Sequence, residues 1–169
     1  SIYEGTFKNN QPNGKGKINF SDGGSYEGSW NNGVIEGSGI ARYANGLVYE
    51  GEFSRGKNNG SGSMTYSDGY VYKGNWKNGI QEGKGEEKFP NGTTYKGTFK
   101  NNQRHGKGTM KMEDGFSYTG DWVSGEMSGK GIAVYANGDK YEGYFLNGKR
   151  EGKGVMTFKD GNIVDAIWK

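Results

Sequence analysis

His105 is the only histidine in the chain, and cysteine is absent. A Cys-His pair or a His/Cys metal cluster cannot be assembled from one imidazole. A Ser-His-Asp site would rest on His105 alone, and that residue stands in the polar run Gln103-Arg104-His105. The repeated Gly-x-Gly pairs, such as Gly14-Lys15-Gly16, have the composition of phosphate-cradling loops, but none belongs to a strand-loop-helix unit. They read as packing glycines. Asn59-Gly60-Ser61 and Asn91-Gly92-Thr93 match the N-glycosylation pattern, but no secretory signal accompanies them. This inventory points away from catalysis, calls for no cofactor or metal, and leaves binding. Lys15, Lys84, Lys107, Lys130 and Lys153 share one repeat column, with Ser38 and Ser61 interrupting it. Each lysine near an anionic bilayer contributes about 1 kcal/mol, so Lys84, Lys107, Lys130 and Lys153 are candidates for a lipid-facing stripe. The same stripe suits nucleic acid poorly, because Glu86, Glu87, Asp121 and Glu142 intervene.

The elements that hold these residues follow from one period. Tyr3, Tyr26, Tyr49, Tyr72, Tyr95, Tyr118 and Tyr141 stand 23 residues apart, each with Gly two residues on and an aromatic two further. A chain of 169 residues with 30% hydrophobic content would otherwise suggest disorder. Position overturns that reading, since 21 of the 24 aromatics fall in three columns and 33 of the 34 glycines in five. A fixed short period predicts units that contact mainly their neighbours and are stable only when stacked. The net charge of +3 comes from interspersed acidic and basic residues. No stretch approaches the roughly 20 apolar residues of a transmembrane helix or the apolar core of a signal peptide, which reads as a soluble chain. Ser1 opens on a repeat with no initiator Met, as a segment of a longer protein or a processed product would.

Alternate positions of a strand face opposite sides. In the first unit this places Tyr3, Gly5, Phe7, Gly14, Gly16, Ile18 and Phe20 on one face and Glu4, Thr6, Lys8, Lys15, Lys17 and Asn19 on the other. Asp22-Gly23 and its equivalents carry the signal of a two-residue type I′ turn. The opposite edge, such as Asn32-Gly33-Val34-Ile35-Glu36, reads as a row of longer exposed loops. The expected fold is all-β: an elongated single sheet of antiparallel β-hairpins. It forms one array over residues 1–169, with seven 23-residue units starting near 3, 26, 49, 72, 95, 118 and 141 and a degenerate closing strand over 162–169. At about 4.8 Å per strand such a sheet would extend about 70 Å. Glu87 breaks the apolar column of Ile18, Ala41, Met64, Met110, Ala133 and Met156, which marks unit four as loose or as the site of a local contact.

Tyr49-Glu50-Gly51-Glu52-Phe53 and Gln103-Arg104-His105-Gly106-Lys107-Gly108-Thr109-Met110, joined through Asp/Asn-Gly turns, resemble the two halves of the MORN repeat, the membrane occupation and recognition nexus. The resemblance covers essentially the whole chain and implies a solenoid of hairpins. It also implies one of several roles: scaffold, membrane-associated tether, ciliary spoke component, or accessory arm of a lipid kinase or methyltransferase. Asn10 and Asn102 depart from the family's loop glycine, and its Lys-Arg-His loop is nowhere intact.

A second period of 46 overlies the first, because the first-strand aromatic alternates Phe7, Trp30, Phe53, Trp76, Phe99, Trp122, Phe145, Trp168. The expected function is a non-enzymatic scaffold that binds a helix or extended peptide, at cytoplasmic, cytoskeletal or membrane-peripheral sites. Two surfaces are candidates: an aromatic groove of Tyr26, Trp30, Tyr49, Tyr72, Trp76, Tyr95, Tyr118 and Trp122, and a loop edge of Val34, Ile35, Ile80, Arg104, His105, Met127 and Arg150. The alternatives are an anionic-phospholipid tether and an accessory region of a larger enzyme such as a phosphatidylinositol phosphate kinase. Self-association through an uncapped strand edge is a further expected interaction.

Overall fold

The computed structural model describes residues 1–169, and every regular element in it is a strand. Along the chain these are β1 (Ile2–Lys8), β2 (Gln11–Asn19), β3 (Ser25–Asn31), β4 (Val34–Arg42), β5 (Val48–Ser54), β6 (Lys57–Thr65), β7 (Val71–Lys77), β8 (Ile80–Lys88), β9 (Thr94–Lys100), β10 (Gln103–Lys111), β11 (Ser117–Val123), β12 (Glu126–Val134), β13 (Lys140–Leu146), β14 (Lys149–Thr157) and β15 (Ile163–Trp168). They form one open antiparallel sheet in which each strand neighbours the next in sequence. The chain divides into two compact units, Ser1–Glu82 and Gly83–Lys169.

The two kinds of turn are exchanged relative to expectation. The tight connection lies at Asn32-Gly33, where φ is 47° and 81°, the pair of positive values that a type I′ turn requires. Asn78-Gly79 and Asn147-Gly148 repeat it, and Asn9-Asn10 and Asn101-Asn102 manage it without glycine because Asn tolerates the left-handed region. Val34, Ile35 and Glu36 therefore belong to β4 and not to a loop. The Asp22-Gly23 type of connection is the wider one, spanning Phe20 to Gly24, and only its glycine has positive φ. There the Asp22 carboxylate accepts the Gly24 N–H at 2.8 Å, as do Asp68 from Tyr70 and Asp114 from Phe116. This local bond to the backbone two residues on competes with the type I′ geometry, and it explains why the same dipeptide makes a different turn here.

The core is the ring face. Tyr26, Tyr49, Tyr72, Tyr95, Tyr118 and Tyr141 are 0–1% exposed. In the hairpins of β1–β2, β3–β4, β5–β6, β9–β10, β11–β12 and β13–β14, the register slips between the central glycine and the following aromatic. A bulge of this kind frees a carbonyl from the ladder, and a buried carbonyl must find another donor. The tyrosine supplies it: Tyr26 O–H donates to Ser29 O at 2.9 Å, Tyr49 to Glu52 O at 2.7 Å and Tyr118 to Asp121 O at 2.8 Å. To reach that carbonyl the phenol lies across the paired glycines, such as Gly51 and Gly62. Tyr26, Tyr49, Tyr95, Tyr118 and Tyr141 each also meet two rings edge-on. Tyr26 contacts Trp30 at 5.5 Å and Phe53 at 5.1 Å, and Tyr118 contacts Trp122 at 5.3 Å and Phe145 at 5.0 Å. Edge-to-face pairs of this kind contribute about 0.5–1.5 kcal/mol each beyond burial.

The Phe/Trp alternation has a structural consequence. Trp30, Trp76, Trp122 and Trp168 each donate Nε1–H to a glycine carbonyl of the preceding strand, at 3.1–3.2 Å. Phenylalanine has no such donor.

Candidate functional site

The ring face is consumed by its own packing. All eight residues expected to line an aromatic groove are buried, with Trp30 the most exposed at 8%. One column of the second strands completes their cover. Ile35 stands opposite Trp30, Met127 opposite Trp122 and Arg150 opposite Phe145. The Arg104 guanidinium lies 5.1 Å from the Trp122 ring and 5.7 Å from that of Tyr95, while Arg150 lies 4.3 Å from Trp168. Four of the loop-edge candidates thus fold over the rings.

Arg104 also resolves the anomaly of Glu87. The Glu87 carboxylate, placed on the ring face, pairs with the Arg104 guanidinium at 3.7 Å. A polar group in a column of methionines and alanines is held by an arginine two strands away in sequence, a pairing no local pattern announces. Nearby, burial pushes the Tyr95 phenol up to about 12, against a lowering contribution from Arg104.

The remaining loop-edge residues divide. Val34 and Ile80 open β4 and β8 and are exposed at 44% and 38%. His105 is a structural bridge, whose Nδ1 accepts the Ser124 N–H at 3.3 Å. Asn13, Glu36 and Asn59 occupy the same column and accept from Asn32, Arg55 and Asn78 in the same way. Each clamps one tight turn to the next.

Open concavities lie on the face opposite the rings. The aromatic face expected to form a groove is instead closed, because the rings cover one another. In the first compact unit a trough of about 750 Å³ is floored by Gly5, Gly16, Gly28, Gly39 and Gly51, with Glu4, Glu27, Glu50, Lys15 and Lys17 along its sides. In the second, a trough of about 640 Å³ runs over Gly108, Gly120, Gly131 and Gly143 between Lys107, Lys130, Thr109, Thr119, Ile132, Glu142 and Tyr144. The floor is bare because a Cβ at these glycine positions would point to the other face, where it would meet the tyrosine rings. The walls are the flanking columns.

Tyr144 is the informative departure. Its column otherwise holds Thr6, Ser29, Glu52, Asn75, Thr98 and Asp121 in the other repeats, and Ile167 in β15. Several of these serve the bulge: Glu52 accepts the Ser61 N–H at 2.6 Å, Asp121 accepts the Lys130 N–H at 2.9 Å, and Thr98 donates to the His105 carbonyl. Tyr144 instead projects its ring into the trough, 43% exposed, with the Lys130 ammonium 5.5 Å from its centroid. Beside it Lys107 forms an ion pair with Asp121 and holds that carboxyl below the usual range, partly opposed by burial. No three His, Cys, Asp or Glu side chains converge as a metal-ligating group.

These features define a repeat array of stacked β-hairpins, closed on one face by its own rings and furrowed on the other. The chain belongs to the MORN repeat family, whose model matches residues 3–25, 26–48, 49–69, 72–94, 95–116, 118–140 and 141–163. Among solved structures, the wild-type TCP10 domain of Danio rerio CPAP is similar in fold, with a TM-score of 0.54 and 12% identity over 90% of this chain and 72% of that one. The SAS-4 TCP domain of Drosophila melanogaster, solved in complex with a proline-rich motif of Ana2, matches with a TM-score of 0.45 and 14% identity over 92% and 90%. No curated protein matches the chain.

Proposed function

We propose that this protein is a non-catalytic scaffold that holds a protein partner as an extended peptide along the glycine-floored face. The observation that carries this reading is Tyr144. It gives up the bulge-capping role of its column and presents an aromatic to a trough that also holds Ile132, Thr109 and Thr119. An exposed aromatic above a bare backbone floor suits a peptide side chain, and aromatics commonly dominate the energetics of such surfaces. The exposed Val34 and Ile80 add apolar contacts at the tight-turn edge. A scaffold of this kind would serve at cytoplasmic, cytoskeletal or membrane-peripheral assemblies.

The anionic-lipid reading is weaker, because two of its four lysines are engaged within the sheet, Lys107 with Asp121 and Lys130 with Tyr144. Peptides selected from a randomised library against the intact chain test the proposal. Tyr144→Ala should weaken their binding about thirtyfold, the roughly 2 kcal/mol of an aromatic hot spot. Unchanged binding by Tyr144→Ala, together with salt-sensitive sedimentation on phosphoinositide vesicles that Lys84→Glu and Lys153→Glu abolish, would favour the lipid reading instead.

A further inference from the structure

We propose that Val164 and Ala166 make β15 a stop strand, which prevents another repeat from joining the sheet in register at that edge. The inference comes from the central glycine of each first strand. A Cβ placed on Gly28 would lie 2.5 Å from the Gly39 Cα, and one on Gly97, Gly120 or Gly143 would lie 2.5 Å from the Cα of Gly108, Gly131 or Gly154. The two nearest obstructing atoms are backbone of the strand that follows, and the third is the hydroxyl of the strand's own tyrosine. Non-bonded carbons sit about 3.5–4.0 Å apart, so a methyl here would force the next strand outward by about 1 Å and disrupt the ladder. In β15 the residue at this position is Ala166, paired with Gly154.

Val164 removes the second requirement. Tyrosine at its position reaches across the central glycine pair to a bulge carbonyl and stacks on the first-strand ring of the next unit, as Tyr141 does on Trp168 at 5.7 Å. Valine has neither the hydroxyl nor the ring. A hairpin arriving after β15 would therefore lose its backbone register to the Ala166 methyl and its aromatic clasp to Val164.

Blocking register at an edge is one way in which sheet proteins limit strand addition.

The test grafts a copy of residues 32–54 directly after Lys169, so that the grafted copy of β4 would lie against β15 as β4 lies against β3. Amide exchange reads whether the graft is ordered. In the natural background the grafted amides should exchange as in a free peptide. With Val164→Tyr and Ala166→Gly together they should slow by about tenfold or more, as cooperative structure forms. Ala166→Gly alone should give a partial effect. Both substitutions restore residues that the seven preceding units carry, so β15 itself should remain folded, which its own amides report. Protection of the graft in the natural background would overturn the proposal, as would free exchange in the doubly substituted chain.

Discussion

Gly62→Ala tests how tightly a tyrosine lies over the paired glycines on the ring face. The new Cβ would sit 2.6 Å from Tyr49 Cε2 and closer still to its Cζ and hydroxyl. Tyr49 is fully buried, donates to Glu52 O at 2.7 Å, and meets Phe53 at 4.9 Å and Trp76 at 5.5 Å. Moving the ring would forfeit about 1 kcal/mol of hydrogen bond and about 0.5–1.5 kcal/mol for each edge-on contact. The expected cost is about 3 kcal/mol, the upper range for overpacking a core. Tyr49→Ala alone should cost about 3–5 kcal/mol by leaving a cavity. Because the methyl then has room, the double substitution should cost little more than Tyr49→Ala, a coupling of about 2–3 kcal/mol, at the strong end for residues in contact. Urea unfolding followed by tryptophan fluorescence gives all three values. Additive losses, or a Gly62→Ala cost below about 0.5 kcal/mol, the scale of an ordinary surface substitution, would refute the packing argument.

Other consequences concern charge and the second period. Burial raises the Tyr49 and Tyr118 phenols to about 12, with Glu52 and Asp121 adding to the effect. A raised phenol favours folding fully below its unfolded value of 10.0, and the benefit is lost as pH rises from there toward 12. Stability should therefore be flat up to about pH 9.5 and fall steeply above it, with phenolate absorbance appearing in step with unfolding. Glu87→Gln should destabilise the second unit by about 1–3 kcal/mol by leaving the Arg104 guanidinium over the rings without its carboxylate, whereas Glu87→Met with Arg104→Met should be nearly neutral in thermal melts. Trp76→Phe should cost about 1 kcal/mol more than Phe53→Trp, since only the first deletes a bond to a glycine carbonyl, the one to Gly62 O at 3.1 Å.

The period made the sheet legible. Tyr, Gly and Phe/Trp at alternate positions fixed the strands, the faces and the order of pairing, because a strand has only two sides and each hairpin is short. Turn type was harder to read. Asn32-Gly33 and Asp22-Gly23 are nearly the same dipeptide, and what separates them is the bond from Asp22 to the Gly24 N–H. The closure of the ring face was also hidden, since nothing local shows that Tyr26 will be covered by Trp30 and Phe53 or that Arg104 will fold over Trp122. Tyr144 could have been found, as one of three aromatics outside the repeat columns. A closing strand over 162–169 was legible as a degenerate repeat, but the steric reason at Ala166 was not, because the sequence shows an alanine where glycine belongs and not the backbone its methyl would strike.

The central claim is that a partner lies on the glycine-floored face and not on the ring face or the turns. Backbone amide NMR of the intact chain, titrated with a library-selected peptide, tests it most directly. The prediction is that shifts cluster at Thr109, Thr119, Lys130, Ile132 and Tyr144. Shifts confined to the tight turns, such as Asn78, Gly79, Ser124 and Gly125, would contradict it.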